Sequence, residues 1–485
     1  MSEWKAIIGL ETHAELMTES KMFSSAPVVD SVEAAPNSAV DPLSLGLPGT
    51  LPVINFKAME YAMMVGLALN CEIPRINQFA RKSYFYPDLP KGYQISQYDR
   101  PLCAAGTLGI DLADGSTRTI RIRRAHLEED TGKLTHVAGG SLVDYNRAGV
   151  PLLEIVTEPD IHSSEEAEAF ARKLRAILQY LGVNNGDMSK GVLRFEANVS
   201  VMHHDDTGYR TRTEVKNLNS IRSMVRAIDY EVARQIKAWE HGEGVRQATM
   251  GWDEANQRTV VQRYKESADE YRYFPEPDLP IVEVSREWVA DVRARLPELP
   301  DAKRDRFTAA FGLPHYDAAQ LVAEQQVAHY YEDAVATGAN PKTTANLLLG
   351  NLFSLMNRDD IEREAIAETK VPAVNLGKLV QILEAGTINR ATALTVLNEM
   401  WDSGQDGETI VREKGLAQIS DTGAIEAAVA AALADNDAVV QRYIAGEEKV
   451  FGALMGSVMK ALKGQGNPQL IRETMMKQLD ARRTS

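Results

Sequence analysis

Three polar residues share one side of the first strand-like segment. In an extended strand, residues i and i+2 lie on one face roughly 6–7 Å apart, so Glu11, His13 and Glu15 project together. Glu154 and Glu158 in LLEIVTEPD share a face by the same rule. Glu196 and Asn198 lie opposite the apolar series Leu193, Phe195, Ala197, Val199 and Val201. The run His126-Leu127-Glu128-Glu129-Asp130 adds three carboxylates at the end of another strand. Carboxylates with an occasional imidazole are hard ligands suited to Mg²⁺ or Mn²⁺. Crowding them is unfavourable unless a cation neutralises them. A single Glu on a strand is usually a solvated outer residue. Here, however, Arg123, Arg124, Lys133, Arg147, Arg194, Arg212 and Lys216 are interleaved with the acids. Carboxylates for metal beside cations for phosphate is the composition of a nucleotide site.

Strands must position these groups. Residues 4–13, 119–123 and 193–201 read as strands by period-two alternation. Ser163 and Glu166 form a capping box for a helix whose stripe is Phe170, Leu174, Ile177, Leu178 and Leu181, ending at Gly182. A second helix over 220–239 turns Met224, Val225, Ile228, Val232 and Ile236 inward. Between them lie loops rich in Pro, Gly and aromatic residues, YFYPDLPKGYQ (84–94) and YFPEPDLP (273–280). No regular βαβ rhythm is present, so the first part reads as α+β. After LPELP (296–300) short helices follow, SGQDGE (403–408) reads as a linker, and an Ala-rich helical tail closes the chain.

The bulk numbers narrow the class. The 485 residues suit two to four domains. The longest apolar stretches are broken by charges, so no membrane span is expected. The N-terminus lacks the regions of a signal peptide. Two cysteines, Cys71 and Cys103, in unrelated settings argue for the cytoplasm and against a Cys-based zinc site or a disulfide framework. A net charge of −15 argues against coating nucleic acid by bulk electrostatics. From Lys449 to Ser485, however, seven basic residues face two acidic ones, which suits local grip on an RNA. Neither a G-x-x-x-x-G-K-[ST] loop nor a G-x-G-x-x-G turn occurs, which argues against P-loop and Rossmann enzymes.

Long irregular strings in fixed order carry a resemblance over nearly the whole chain. They are IGLETHAEL (8–16), LGLPGTLPVIN (45–55), RKSYFYPDLPKGYQISQYD (81–99), HLEEDTGK (126–133), DYNRAGVPLLEIVTEPD (144–160), FEANVSV (195–201), EVKNLNS (214–220), DEYRYFPEPDLP (269–280) and KGQGNPQL (463–470). On these the chain resembles the B-subunit family of the Glu-tRNA(Gln)/Asp-tRNA(Asn) amidotransferases. The resemblance implies a kinase-like cradle domain of mixed and antiparallel sheets (1–292), a helical domain (293–408) and a helical tail domain on the tRNA body (409–485). Family metal and phosphate positions carry over onto Glu11, His13, Glu128 or Glu129, and Glu154 as metal ligands and catalytic groups. Glu196 stands where the family motif usually has Asp. Lys82, Lys91, Arg147, Arg194 and Lys216 are the expected clamps on ATP phosphate or substrate carboxylate. Some members hold a zinc with cysteines near SKMFSSAP and DPLSLGLPG; Ser24, Ser25, Asp41 and Ser44 stand there, so no zinc is expected. In the tail Lys460, Lys463, Arg472 and Lys477 are the RNA candidates.

The implied chemistry is that of a ligase forming a C–N bond with glutamine as amido donor. ATP and Mg²⁺ convert the side-chain carboxylate of mischarged Glu-tRNA(Gln) or Asp-tRNA(Asn) to an acyl phosphate, which ammonia then attacks. The resemblance implies a heterotrimer in which the ammonia comes from an amidase chain, the A partner, tied in by a small C partner. This chain itself has no credible glutaminase nucleophile. The aromatic loops could stack on the terminal adenosine. A single-chain ligase acting on a free amino acid would use the same carboxylates but has no use for a basic tail.

Overall fold

Ile8, Leu10, Thr12 and Ala14 are fully buried while Glu11, His13 and Glu15 on the alternate face are only half-buried. That two-faced pattern makes Trp4–Glu15 a strand between a core and a polar surface. The computed structural model describes residues 3–264, 271–418, 422–462 and 465–483. It divides into two units, Met1–Pro300 and Asp301–Ser485.

The elements of the first unit, in chain order, are β1 (Trp4–Glu15), α1 (Phe56–Ala68), β2 (Ile76–Asn77), β3 (Phe79–Ser83), β4 (Tyr93–Gln97), β5 (Cys103–Asp111), β6 (Thr117–Glu129), β7 (Lys133–Val137), β8 (Gly140–Asp144), β9 (Pro151–Thr157), α2 (Ser164–Tyr180), β10 (Leu193–His203), β11 (Thr213–Leu218), α3 (Ile221–Glu240), β12 (Ala248–Asp253), β13 (Arg258–Tyr264), β14 (Phe274–Pro275), β15 (Val282–Glu283) and α4 (Arg286–Ala294). Eight of the strands form one sheet in the order β13-β12-β11-β10-β1-β9-β6-β5. Its neighbours are antiparallel except β11 and β12. Helices α1, α2 and α3 pack on one face, so Leu10, Leu153, Ile155, Phe195, Leu174 and Met224 share a core. A smaller sheet, β14-β3-β4, carries the aromatic loops. The α+β class expected from the sequence is therefore present.

Local chemistry explains the helix boundaries. Ser163 accepts from the Glu166 N–H at 3.1 Å, as a capping box requires. The returning bond goes one residue earlier than expected, from His162 N–H to Glu166 Oε2 at 2.7 Å. In α3 the buried line is Met224, Ala227, Ile228, Glu231 and Gln235, while Val225, Val232 and Ile236 are half-buried. Glu231 tolerates burial because Thr213 and Thr259 hydroxyls and Arg234 all donate to it. Both cysteines are buried thiols. Cys103 fills the space left by Gly66 of α1, where a Cβ would collide with its Sγ.

The second unit is built of helices around two apolar cores. One includes Tyr331, Leu348, Leu379, Leu397, Met400, Ile410 and Val411. The other includes Ile425, Val429, Leu454, Val458, Ile471 and Met475. The 403–408 segment, which reads as a linker, is a capped turn inside the first of these. Gly404 closes one helix in the left-handed conformation at φ +77°, and Asp406 accepts from Thr409 N–H at 3.0 Å to open the next. Among the described residues no helix is long and apolar enough to cross a membrane.

Candidate active site

Strand register decides which acidic residues meet. His13 faces Arg194 on β10 and Glu154 on β9, and Glu154 faces His126 on β6. Arg194, His13, Glu154 and His126 thus form one rung on the sheet face opposite the helices. Two residues along β1, Glu11 faces Glu196. Glu128 lies two residues beyond His126, and Glu214 enters from β11 opposite Asn198.

The side chains make two clusters. His13 Nε2 lies 3.3 Å from Glu154 Oε2 and 3.7 Å from Glu128 Oε1. Glu11, Glu196 and Glu214 form the second; within each cluster one ligand atom per residue falls inside 4.8 Å of the others. Adjacent ligands about 2.1 Å from an octahedral Mg²⁺ stand roughly 3 Å apart. Both donor sets therefore fit a hard divalent cation with slight closure. Asn198 donates to Glu11 at 2.9 Å, and Thr249 to Glu214 at 2.9 Å, orienting the second set.

The electrostatics point the same way. Burial raises Glu128 to about 7, reinforced by the neighbouring Glu154 charge. Burial also raises Glu11, with Glu154, Glu196 and Glu214 adding to it. Burial disfavours charged His13, but Glu154, Glu196 and Glu128 outweigh it and hold the imidazole at about 9. For Glu154, burial opposes ionisation, and His126, His13 and Lys82 reverse the balance to well below the usual range. Burial drops His126 to about 4. The Nδ1 atoms of His13 and His126 are buried without a hydrogen-bond partner among the described residues. Glu11 and Glu128, pushed up beside an ionised Glu154, mark crowded carboxylates whose repulsion a metal would relieve.

The expected cations divide into two groups. Lys82 comes to the first cluster: burial opposes its charge, but Glu128, Tyr273, Glu154 and Tyr271 raise its pKa. Its Nζ also lies 5.0 Å from the Tyr271 ring centroid. Lys216 reaches the second cluster, 2.8 Å from Glu196 and 3.8 Å from Glu214. Arg194 and Arg147 instead converge on Asp130, at 2.7 and 3.6 Å, and Arg147 also donates to the carbonyls of Thr131 and Gly132. Glu129 projects to the other side of β6 from Glu128, where it pairs with Lys91 and accepts from Ile95 N–H at 2.9 Å. Glu129 and Lys91 are therefore spent on one another, away from the clusters.

A cleft of about 390 Å³ adjoins the second cluster, with Glu11, Asn198, Arg123, Arg124, Tyr209 and Arg212 among its lining. Arg123 is paired with Glu158 at 2.8 Å. Arg124 Nε is buried without a hydrogen-bond partner among the described residues, and its guanidinium lies 6.0 Å from the Tyr98 ring centroid. Sequence reasoning does not single out Glu214 or Tyr209 as site residues. The only signal for Glu214 is its period-two spacing from Lys216.

The aromatic loops gather beside Lys82. Tyr98 stacks on Tyr273 at 4.2 Å and Tyr84 on Tyr86 at 4.7 Å, with Tyr271 at 6.2 Å from Tyr84. Arg81 and Glu276, paired at 2.7 Å, tie the two loops together. In the SKMFSSAP and DPLSLGLPG segments, Asp41 accepts from Ser44 N–H at 2.7 Å, and the buried Lys21 ammonium donates to Ser44 Oγ at 3.2 Å and the Tyr145 carbonyl at 3.3 Å. Ser24 and Ser25 line the adjacent cleft. In the second unit Lys460, Arg472 and Lys477 are exposed on helices. Lys463 lies outside the described residues, as do Asp269 and Glu270 of the DEYRYF string.

Comparison with known proteins agrees with this layout. Residues 6–290 match the GatB/GatE catalytic domain, and residues 329–479 match the GatB domain. The B subunit of the aspartyl/glutamyl-tRNA(Asn/Gln) amidotransferase of Caldicellulosiruptor saccharolyticus is 48% identical over 99% of this chain and 99% of its own. The protein of that name from Thermodesulfovibrio yellowstonii is 48% identical over 98% and 99%, and that from Herpetosiphon aurantiacus 49% over 99% and 99%. Since likeness at this level runs from end to end and takes in the strands that build both acidic clusters, the chain belongs to the B-subunit family of the aspartyl/glutamyl-tRNA(Asn/Gln) amidotransferases.

Proposed function

We propose that this chain activates the side-chain carboxylate of a mischarged tRNA, Glu-tRNA(Gln) or Asp-tRNA(Asn), for amidation. The observation that carries the reading is the pair of carboxylate clusters on one sheet face beside an arginine-lined cleft. A carboxylate resists ammonia because its charge repels the nucleophile and oxide is a hopeless leaving group. Transfer of the γ-phosphoryl group of ATP gives an acyl phosphate and ADP. Ammonia then displaces phosphate to leave the amide.

The residues divide the work. His13, Glu128 and Glu154, with Glu11, Glu196 and Glu214, are the groups that would hold Mg²⁺, which when bound offsets charge on phosphate oxygens. Arg124 and Arg212 offer guanidinium groups to the phosphate chain at the cleft. Lys82, set among tyrosines beside Glu128 and Glu154, offers an ammonium to the substrate carboxylate. The stacked tyrosines around it give flat faces for the terminal adenosine. The first unit is then the kinase-like cradle. The helical segment and the tail would then serve as a middle domain and an RNA-gripping end, a division that their separate cores support. Both cysteines are buried thiols, unsuited to attack on glutamine, and in this reading ammonia comes from the amidase (A) partner, held in place by the small C partner.

The test is co-expression with candidate A and C partners, followed by amidation of mischarged tRNA with and without ATP. ATP-dependent conversion that needs all three chains supports the reading. Activity of the isolated chain on free glutamate would overturn it.

A further inference from the structure

At the far end of β10, away from both acidic clusters, the chain reads His203-His204-Asp205. His203 Nδ1 lies 3.4 Å from Asp205 Oδ2, and His204 Nε2 lies 3.1 Å from Asp205 Oδ1. One ligand atom from each of the three falls within 4.8 Å of the others. Ligands about 2.1 Å from a tetrahedral zinc ion stand roughly 3.4 Å apart; the two imidazole–carboxylate distances match that spacing, and the set as a whole needs slight closure.

The rings are also held. His203 packs edge-on to Trp4 at 5.0 Å and against His204 at 4.2 Å. Its backbone N–H donates to Asp206 at 2.7 Å, and Asp206 is paired with Arg210. The Arg210 guanidinium in turn lies 4.7 Å from the Trp4 ring and 4.6 Å from the Trp239 ring. The His203 imidazole is therefore held in place, while the exposed His204 ring rests against it and against Asp205. Two imidazoles with one carboxylate select borderline transition metals over Mg²⁺.

We propose that His203, His204 and Asp205 form a surface site for Zn²⁺ or a similar borderline divalent ion. The ion would clamp the start of the 203–212 turn, whose other end carries Tyr209 and Arg212 to the arginine-lined cleft. Water completes the coordination, because the turn presents only three protein donors. The site does not depend on the carboxylate-activation reading.

The test is calorimetric titration of the whole chain, and of His13→Ala in which the first acidic cluster is disabled, with Zn²⁺ in excess Mg²⁺ as competitor for the carboxylates. Wild type is expected to bind one Zn²⁺ equivalent that His204→Ala and Asp205→Asn each weaken at least ~10-fold. Both residues are exposed, so neither change threatens folding. His13→Ala is expected to leave that equivalent in place. Ni²⁺ is expected to quench Trp4 fluorescence in wild type and not in His204→Ala. Wild-type binding weaker than ~100 µM, or full binding kept in His204→Ala, would overturn the proposal.

Discussion

His13 Nε2 stands 3.3 Å from Glu154 Oε2 because their strands, β1 and β9, are antiparallel neighbours that put the two residues directly opposite. The contact is a property of register. A one-residue slip would turn His13 into the helix-packed core and bring Thr12 or Ala14 to the polar face. Nine apolar residues on the buried sides of these two strands and β10 — Ile8, Leu10, Ala14, Leu153, Ile155, Leu193, Phe195, Ala197 and Val199 — oppose such a slip.

Glu154→Gln keeps the shape of the side chain and removes its charge. Tight metal binding at the first cluster should fail, with ATP-dependent phosphorylation of the tRNA-borne carboxylate falling on the order of 100-fold or more. Glutamine hydrolysis by the partner amidase should be unaffected. Single-turnover assays with radiolabelled ATP measure this. Wild-type phosphorylation by the variant would remove Glu154 from the chemistry.

Arg124→Ala removes a guanidinium whose Nε is buried without a hydrogen-bond partner among the described residues. A charge-assisted hydrogen bond to phosphate is worth about 1.5–3 kcal/mol, so the KM for ATP should rise roughly 10- to 100-fold. Folding stability should change little, since the Nε loses no hydrogen bond and the contact with the Tyr98 ring is a long one at 6.0 Å. Arg124→Lys should not rescue fully, because an ammonium cannot reproduce the planar fork. An unchanged KM for ATP would place the triphosphate elsewhere.

Much of this site is legible from alternation alone. Glu11, His13, Glu154 and Glu196 each stand opposite an apolar series, and each reaches the polar face. What alternation cannot supply is partner choice. Glu129 looks as acidic as Glu128, but its parity on β6 sends it to Lys91. Arg147 and Arg194 look available for phosphate, but Asp130 takes both. Glu214 stays hidden because β11 is only six residues long and reads as part of a loop. SGQDGE reads as a linker because Gly404 and Asp406 are equally the residues of a tight cap between packed helices.

Lys21 should make stability depend on pH. Burial lowers its pKa to about 8, although Asp41, Glu129 and Asp144 favour its charge. Below that value Lys21 is protonated in both folded and unfolded chains, and the unfavourable burial of its charge is present in full. Between about 8 and the ordinary lysine value near 10.4, the unfolded chain holds a proton that the folded chain lacks, so stability rises with pH. Relative to Lys21→Met, wild type should gain up to about 3 kcal/mol across that window. Denaturant melts of both proteins at several pH values measure it. A difference that stays flat from pH 7 to 10 would mean Lys21 titrates as in an open chain.

The tail makes a separable prediction, because its cations sit on exposed helix faces rather than in a buried network. Ile471, Met475 and Leu479 turn inward at four-residue spacing, which leaves Arg472 and Lys477 facing water with Lys460 on the preceding helix. Reversing Lys460 and Lys477 to Glu should leave the fold intact and weaken tRNA binding. If each contacts phosphate, the slope of log affinity against log salt should shrink by about 0.7–0.9 per residue. ATP hydrolysis without tRNA should be unaltered, since the first unit is untouched. Filter binding at several salt concentrations reads both quantities. Equal affinity and equal slope in the double variant would take these two lysines out of the RNA contact and leave the tail's positive charge as an ordinary solvated face.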